Sequence, residues 1–258
     1  MDKNTLSNYG WIVIAVLVLS VMIALATPFG EYIKAGVEST TAGLFDTSEK
    51  ALNVVGMSAT EKNPLKEKNI AVFGTSISAP AVNGHQQTTY CMVIAENNEM
   101  TLQNYAVGGY SIMDVLSVYR DRTDDLSSFT ENDYVIFEGL LNSVNKTHGK
   151  ITPVGTTKFN ETTVIGALES LLYEYKNSGC KAKVGFILTH HTESAGSNPE
   201  TMTKYNELWS AAIEVCEKYD IPYINLLNEV FTLEDNVHPD NAGHEKMAGL
   251  IEPWLKTL

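Results

Sequence analysis

Three residues with the functional groups of a nucleophile, a base and an acid lie in two distant parts of this chain. Ser76 follows the apolar run 70–73, whereas Asp235 and His238 lie near the carboxyl terminus. Asp235 precedes His238 by three residues, so its carboxylate can hold the Nδ1–H of the imidazole and leave Nε2 free to take a proton from a serine hydroxyl. The pattern therefore favours acyl transfer through a serine nucleophile. Glu234 is an alternative orienting acid, and spacing alone leaves that choice open.

An acyl-transfer site also needs hydrogen-bond donors for the oxygen that becomes negative during the reaction. Gly109 can offer an unobstructed backbone NH, Asn142 can offer its side-chain amide, and the backbone NH of Ser76 can face the same space. Gly108 competes with Gly109 on the same turn. Taken singly, Ser76 can be a helix cap, the glycines a turn, Asn142 a turn-capping amide and His238 a surface-loop residue. Their order along the chain favours the catalytic interpretation.

The elements that must position these residues alternate between two types from residue 69 onward. Short apolar runs predict strands at 70–73, 102–107, 134–138, 184–189 and 223–227. Amphipathic patterns predict helices at 87–96, 111–125, 163–177, 201–219 and 241–256. This alternation predicts an α/β fold, a three-layer, doubly wound, flavodoxin-like sheet of about five parallel strands. Ligands of such sheets bind beyond the carboxyl ends of the strands, where Ser76, Gly109 and Asn142 are expected to lie.

The amino-terminal part of the chain has a different composition. Residues 11–26 carry no charge and extend about 24 Å as a helix, which approaches the thickness of a bilayer core. We expect residues 1–27 to be a membrane anchor, with a cleavable signal peptide as the alternative because Ala24-Leu25-Ala26 has the small-x-small form. Residues 28–68 are expected to be a stalk, and 69–258 the catalytic domain. We expect the catalytic domain to lie outside the cytoplasm, or to be secreted if a signal peptide is cleaved.

Charge and cysteine content exclude several other classes of protein. A formal charge of −13 with no basic cluster argues against nucleic acid as a partner. The three cysteines are odd in number and widely spaced, so we expect buried thiols instead of disulfides or a thiolate metal site. His190 and His191 are adjacent, and neighbouring side chains of an extended segment point in opposite directions, which makes them a poor metal pair. They are interpreted as rim residues, and no metal or cofactor is expected.

Four sequence blocks together resemble those of the SGNH branch of the GDSL esterase and lipase family. They are FGTSIS, NYAVGG, EGLLN and DNVHP, and the resemblance covers residues 69–258. It implies that Ser76 is the nucleophile, Gly109 and Asn142 are oxyanion donors, and Asp235 and His238 complete the triad. Thr75 stands where the family usually has an acid. The usual Gly-Gly-x-Asn-Asp appears as Gly139-Leu140-Leu141-Asn142-Ser143, so we expect a bulkier oxyanion loop at Leu140 and a lost carboxylate at Ser143.

These observations lead us to expect a serine esterase that cleaves carboxylic esters through an acyl-enzyme. The expected substrates are an ester-bearing small molecule, O-acetyl groups of a surface glycan, or a lipid ester, and the expected partner is a membrane bound through the amino-terminal helix. Two alternatives remain open at this point. One is an acyltransferase on the same scaffold, and the other is a non-catalytic surface protein that binds glycans. The sequence does not indicate an oligomeric state.

Overall fold

The computed structural model describes residues 63–82, 85–123 and 131–258. These residues belong to one unit, Asn63–Leu258. The predicted anchor, 1–27, and the first part of the predicted stalk, 28–62, lie outside the described residues. Within the described part, none of the helices has the length and apolar character needed to cross a bilayer.

A parallel sheet forms the centre of the fold. The described strands are β1 (Asn69–Phe73), β2 (Ala81–Val82), β3 (His85–Gln86), β4 (Thr101–Asn104), β5 (Tyr134–Glu138), β6 (Lys183–Leu188) and β7 (Tyr223–Asn225). β2 pairs with β3, and the other five form a parallel sheet in the order β4-β1-β5-β6-β7. This order is the one found in flavodoxin-like folds, so the predicted fold class is confirmed.

Helices connect the strands. They are α1 (Tyr90–Asn97), α2 (Ile112–Thr123), α3 (Val164–Asn177), α4 (Glu193–Gly196), α5 (Pro199–Lys218) and α6 (Asn241–Leu255), with a 3₁₀ turn at Leu141–Ser143. The five predicted strands and five predicted helices are all found, in the predicted order. The sequence patterns missed β2, β3, α4 and the 3₁₀ turn, because segments of two to four residues are too short to show a periodicity.

One face of the sheet is covered by aromatic packing. In the strand register Phe73 is opposite Phe137, and Phe137 is opposite Phe186, so these three rings point to the same face. Tyr119 of α2 packs edge-on against Phe137 at 5.5 Å, and Tyr175 of α3 does so at 5.7 Å. All five residues are buried. The apolar runs in β1 and β5 therefore form the centre of the hydrophobic core, as expected for strands covered on both sides.

The opposite face of the sheet is covered by α6, which packs against α1. Trp254 of α6 lies so close to Gly185 of β6 that a Cβ added to the glycine would come within 2.4 Å of the indole. α6 begins at a defined cap, because the Asp240 carboxylate accepts a hydrogen bond from the Gly243 NH at 2.7 Å. All five parallel strands thus end at one edge, and the segments that follow them meet there.

Candidate active site

Ser76 lies in a single turn directly after β1. The NH of Ser78 donates to the Thr75 carbonyl at 3.1 Å, which closes the turn, and the next helix, α1, begins only at Tyr90. One interpretation of the sequence made Ser76 a helix cap, and this turn shows that it is not one. Its side chain is 3% exposed, and no hydrogen bond to its Oγ is formed within the described residues. The Ser76 hydroxyl lies at the carboxyl edge of the sheet, without a competing partner in the described part of the chain.

Glu138, which the sequence patterns did not single out, lies beneath this turn. It is the last residue of β5 and is fully buried. Its carboxyl accepts hydrogen bonds from the Thr75 NH at 2.8 Å, the Thr75 hydroxyl at 2.9 Å and the Ser78 hydroxyl at 3.2 Å. Burial raises the pKa of Glu138, while the hydrogen bonds from Thr75 and Ser78 act in the opposite direction. An acid at position 75 would face this carboxyl, so the threonine there is explained by its partner.

The two predicted oxyanion segments are joined to the Ser76 turn and to each other. The Val107 NH donates to the Gly74 carbonyl at 3.1 Å, and the Asn142 amide donates to the Tyr110 carbonyl at 2.9 Å. Gly109 has a φ of 80°, in the left-handed region that favours glycine. The left-handed backbone therefore favours glycine at position 109, and the sequence blocks also indicated Gly109 in preference to Gly108.

The two departures in the third sequence block have structural roles. Leu140 is 1% exposed and packs in the core, so it does not add bulk to the oxyanion loop as expected. Ser143 is fully buried, and its hydroxyl donates to the Gly139 carbonyl at 3.0 Å and accepts from the Ile112 NH at 3.2 Å. Ser143 thus joins the 3₁₀ turn that carries Asn142 to the start of α2.

Asp235 and His238 are in direct contact. The Asp235 Oδ2 lies 2.8 Å from the His238 Nδ1, and the Asp235 Oδ1 accepts from the NH groups of Val237 and His238 at 2.6 and 2.7 Å. Burial raises the pKa of Asp235, but these hydrogen bonds outweigh it and bring the pKa to about 2. The carboxylate is therefore ionised at neutral pH. Glu234 contacts His238 through its backbone NH, at 2.9 Å from the His238 carbonyl.

The Ser76 turn and the His238 loop meet the same edge of the sheet. Ser76 follows β1, and the loop that carries His238 is held by His190, which follows β6; both strands flank β5. No hydrogen bond between the Ser76 Oγ and the His238 imidazole is formed in the part of the chain that is described. Such hydrogen bonds are often long before substrate binds and shorten in the enzyme–substrate complex. The His238 Nε2 likewise has no hydrogen-bond partner among these residues.

Two of the other histidines at this edge, His190 and His244, are buried. His190, interpreted from the sequence as a rim residue, is 2% exposed, whereas His191 is half-buried. His244 of α6 is 1% exposed, and neither of its ring nitrogens has a hydrogen-bond partner among the described residues. Burial lowers the pKa of His244 to about 4, with neighbouring His190 and His238 lowering it further and Asp240 opposing them.

His244 should make the fold sensitive to acid. The pKa of histidine is about 6.5 in an unfolded chain, so below that pH the unfolded state binds more protons than the folded state. The stability that neutral His244 contributes is present above pH 6.5 and is lost as the pH falls towards about 4. The free energy of unfolding of wild type should fall between pH 7 and pH 5. For His244→Leu we expect this fall to be smaller by about 2 kcal/mol. Urea unfolding at both pH values measures this difference, and equal losses in the two proteins would contradict it.

A cleft of about 540 Å³ lies beside the loop that carries His238. Its walls come from the segments that follow β6 and β7, and its size is typical of small-molecule sites. The lining residues are His190, His191, Glu193, Glu229, Val230, Phe231, Thr232, Leu233 and Asp240. Carboxylates, imidazoles and one aromatic ring are thus presented in the cleft wall, and Lys246 contacts Glu229, Val230 and Phe231 of that wall.

The described part of the chain has no candidate metal cluster, and its three cysteines are free. Residues 63–82, 85–123 and 131–258 include no group of three or more His, Cys, Asp or Glu side chains placed to hold a metal ion. Cys91 and Cys216 are buried free thiols, as expected. Cys180 is also free but only half-buried, because it follows the exposed turn at Gly179, where φ is 76°.

Comparisons with known proteins identify structures of the same architecture. No protein-family model and no curated protein matches the chain. A lipase/acylhydrolase from Enterococcus faecalis superposes with a TM-score of 0.52 at 20% identity, covering 74% of this chain and 96% of that one. A protein named as a GDSL-like lipase from Bacteroides ovatus gives 0.55 at 19% identity, covering 74% and 99%. The chain shares their fold.

A catalytic mutant of an acetylxylan esterase from Geobacillus stearothermophilus has the same fold. Its TM-score is 0.53 at 14% identity, and the match covers 72% of this chain and 93% of that one. At these identities the similarity defines the architecture, and the chemistry must be argued from the site itself.

Proposed function

We propose that the chain is a serine esterase that hydrolyses carboxylic esters. The observation that carries the proposal is the contact between Asp235 and His238, at the sheet edge where the turn after β1 presents Ser76. The segment that carries Gly109 is joined to Gly74 through the Val107 NH, Asn142 is joined to the same segment at Tyr110, and Gly109 and Asn142 supply donors for an oxyanion. The names of the structures that share the fold, among them a lipase/acylhydrolase and an acetylxylan esterase, support ester cleavage.

The reaction proceeds in two halves. His238 Nε2 takes the proton of the Ser76 hydroxyl as the oxygen attacks the ester carbonyl carbon, which gives a tetrahedral intermediate with a negative oxygen. The bond between that carbon and the alcohol oxygen then breaks, and His238 returns its proton to the alcohol. In the second half, His238 takes a proton from a water molecule as the water attacks the carbonyl carbon of the acyl-enzyme. The bond from that carbon to the Ser76 oxygen then breaks, and His238 returns the proton to Ser76, which releases the acid and restores the enzyme.

The groups around Ser76 and His238 stabilise the charges that develop during the reaction. Asp235 keeps the Nδ1–H of His238 in place and stabilises the imidazolium, and its pKa of about 2 keeps it ionised throughout. The backbone NH groups of Ser76 and Gly109 and the amide of Asn142 donate to the oxyanion. Each such donor contributes about 10²-fold to 10³-fold to kcat in enzymes of this type. Glu138 holds the turn that aims the Ser76 NH.

The cleft beside the His238 loop supports a hydroxyl-rich alcohol as the leaving group. His238 must protonate the departing oxygen, so the alcohol lies on the His238 side of Ser76. The carboxylates of Glu193 and Asp240 accept hydrogen bonds from hydroxyl groups and repel phosphate, whereas the charge of Glu229 is paired with Lys246 at 3.6 Å. O-acyl groups of a glycan therefore fit this site better than a phospholipid. An amino-terminal anchor would hold the enzyme beside such a glycan at a cell surface.

The test is covalent capture of the nucleophile in the full chain, purified in mild detergent. A fluorophosphonate probe should attach to wild type, and mass spectrometry should locate the adduct on Ser76. Ser76→Ala should lose the label and the hydrolysis of p-nitrophenyl acetate, whereas Ser210→Ala, at an exposed serine of α5, should keep both. An unlabelled wild type would favour a non-catalytic glycan-binding protein. A labelled enzyme that passes acetyl to an added sugar and releases no acetate would be an acyltransferase.

A further inference from the structure

Two loops at the carboxyl edge of the sheet are joined by a set of hydrogen bonds. The loop after β6 contributes His190, and the start of α4, which follows it, contributes Glu193 and Ser194. His190 Nε2 lies 2.9 Å from the Val237 carbonyl, and the Glu193 NH donates to the Asn236 carbonyl at 2.9 Å. The Asn236 side chain accepts from the Ser194 NH at 2.7 Å and donates to its hydroxyl at 3.0 Å. The segment that leads into His238 is therefore held from outside its own loop.

The contact of His190 determines the tautomer of its ring. A carbonyl oxygen can only accept, so His190 Nε2 must carry the proton that points at Val237. Nδ1 then holds a lone pair, and it has no hydrogen-bond partner among the described residues. Burial lowers the pKa of His190, the Val237 contact opposes this, and His191 and His238 lower it further. The ring is neutral, and it packs edge-on against Phe231 at 5.3 Å.

The Val237 carbonyl belongs to the same peptide unit as the His238 NH. His190 donates to the carbonyl side of this planar unit, and the NH side donates to Asp235 at 2.7 Å. The rotation of the peptide is thus fixed at both ends. His238 follows it directly, so the direction in which the imidazole leaves the backbone depends on this peptide.

We propose that His190 is a positioning residue for His238. Its Nε2–H fixes the Val237–His238 peptide and thereby the distance from the His238 Nε2 to Ser76. The inference rests on the proposed function. A displacement of about 1 Å in a reacting group can cost about 10²-fold in rate, so one hydrogen bond at this peptide has a large effect on catalysis. Packing alone does not require an imidazole here, because a phenyl ring can make the same contact with Phe231.

Two variants separate the donor from the ring. His190→Phe keeps an aromatic ring and removes the donor, and it should lower kcat for p-nitrophenyl acetate about 10-fold to 100-fold with little change in KM. His190→Gln places an amide NH near the position of Nε2 and should restore most of the lost kcat. Tyr175→Phe is the matched control, because it also keeps a buried ring and removes a donor to a backbone carbonyl, Ala182 at 2.7 Å, just before the amino end of β6.

The outcomes separate this inference from the proposed function. A wild type that hydrolyses the ester together with His190→Phe at unchanged kcat would overturn the positioning role alone. A wild type that is not labelled by the fluorophosphonate probe would overturn the function. If His190→Phe does not fold, ¹⁵N NMR of wild type decides: the neutral Nε2–H tautomer of His190 is expected, and the Nδ1–H tautomer would contradict the inference.

Discussion

Replacing His238 with alanine should lower kcat for p-nitrophenyl acetate about 10⁴-fold or more, and adding Ser76→Ala should lower it no further. A nucleophile and its base act as one unit, so the loss of either removes the same step. The measurement is ester hydrolysis by the full chain, by both single variants and by the double variant, with a thermal unfolding midpoint for each. This experiment tests the pairing of two residues that the fold brings to one edge from opposite ends of the domain.

Two comparisons make this experiment decisive. Asp235→Asn should cost less than His238→Ala, because the Asp235 side chain is 52% exposed and water can replace part of its contact. Ser210→Ala, at an exposed serine of α5, should leave kcat at the wild-type value. Additive losses in the double variant would show that Ser76 and His238 act in separate steps, and the triad proposed above would then be wrong.

Removing the Glu138 side chain should destabilise the fold and the Ser76 turn together. Glu138→Ala leaves the Thr75 NH, the Thr75 hydroxyl and the Ser78 hydroxyl without their acceptor in a buried site. An unsatisfied buried donor costs about 1–3 kcal/mol, so we expect a loss of about 3 kcal/mol or more in the free energy of unfolding. Turnover should also fall, since these donors shape the turn whose backbone NH faces the oxyanion. Urea unfolding and kcat measure the two effects.

Glu138→Gln is the matched control for that variant. Its carbonyl can accept from the Thr75 NH and from Ser78, and its NH₂ can donate to the Thr75 hydroxyl, so every buried group keeps a partner. It should lose far less stability than Glu138→Ala. The pKa of Glu138 is raised, so the stability contributed by its protonated form is present at low pH and is lost as the pH rises through the folded pKa. Because Gln does not titrate, the free energy of unfolding of Glu138→Gln relative to that of wild type should be highest at high pH. Equal destabilisation by Ala and Gln would show that the carboxyl group itself is required and that neither retained volume nor an amide partner can replace it.

Much of the fold follows from local patterns in the chain. The apolar runs of β1 and β5 are buried on both faces, so they appear in the sequence as continuous hydrophobic segments between amphipathic helices. That alternation is enough to predict a doubly wound parallel sheet, and a sheet of this kind brings Ser76, Gly109 and Asn142 to one edge. The contact between Asp235 and His238 is also local, because three residues of chain suffice to close it.

Contacts between distant segments depended on the tertiary structure. Thr75 and Glu138 are 63 positions apart, and they meet because the β1–β5 register places Phe73 opposite Phe137, so the next residues of the two strands are neighbours. No spacing rule indicates that register, so the role of Glu138 was not visible in the sequence. For the same reason Leu140 was expected in the oxyanion loop, whereas tertiary packing places it in the core.

His190 shows most clearly where sequence reasoning stops. As half of an adjacent histidine pair at the end of a strand, it was assigned to the rim, because alternation along a strand says only that the two side chains point in opposite directions. The fold determines which of them is covered, and here Phe231 and the Val237 loop, 47 positions away, bury His190. Residue types and their order along the chain were sufficient to predict the architecture and to propose the chemistry. The partner of each buried polar group was decided only when the sheet and its loops packed, because an unpaired polar group is costly in the interior and the contacts that satisfy it are made across the fold.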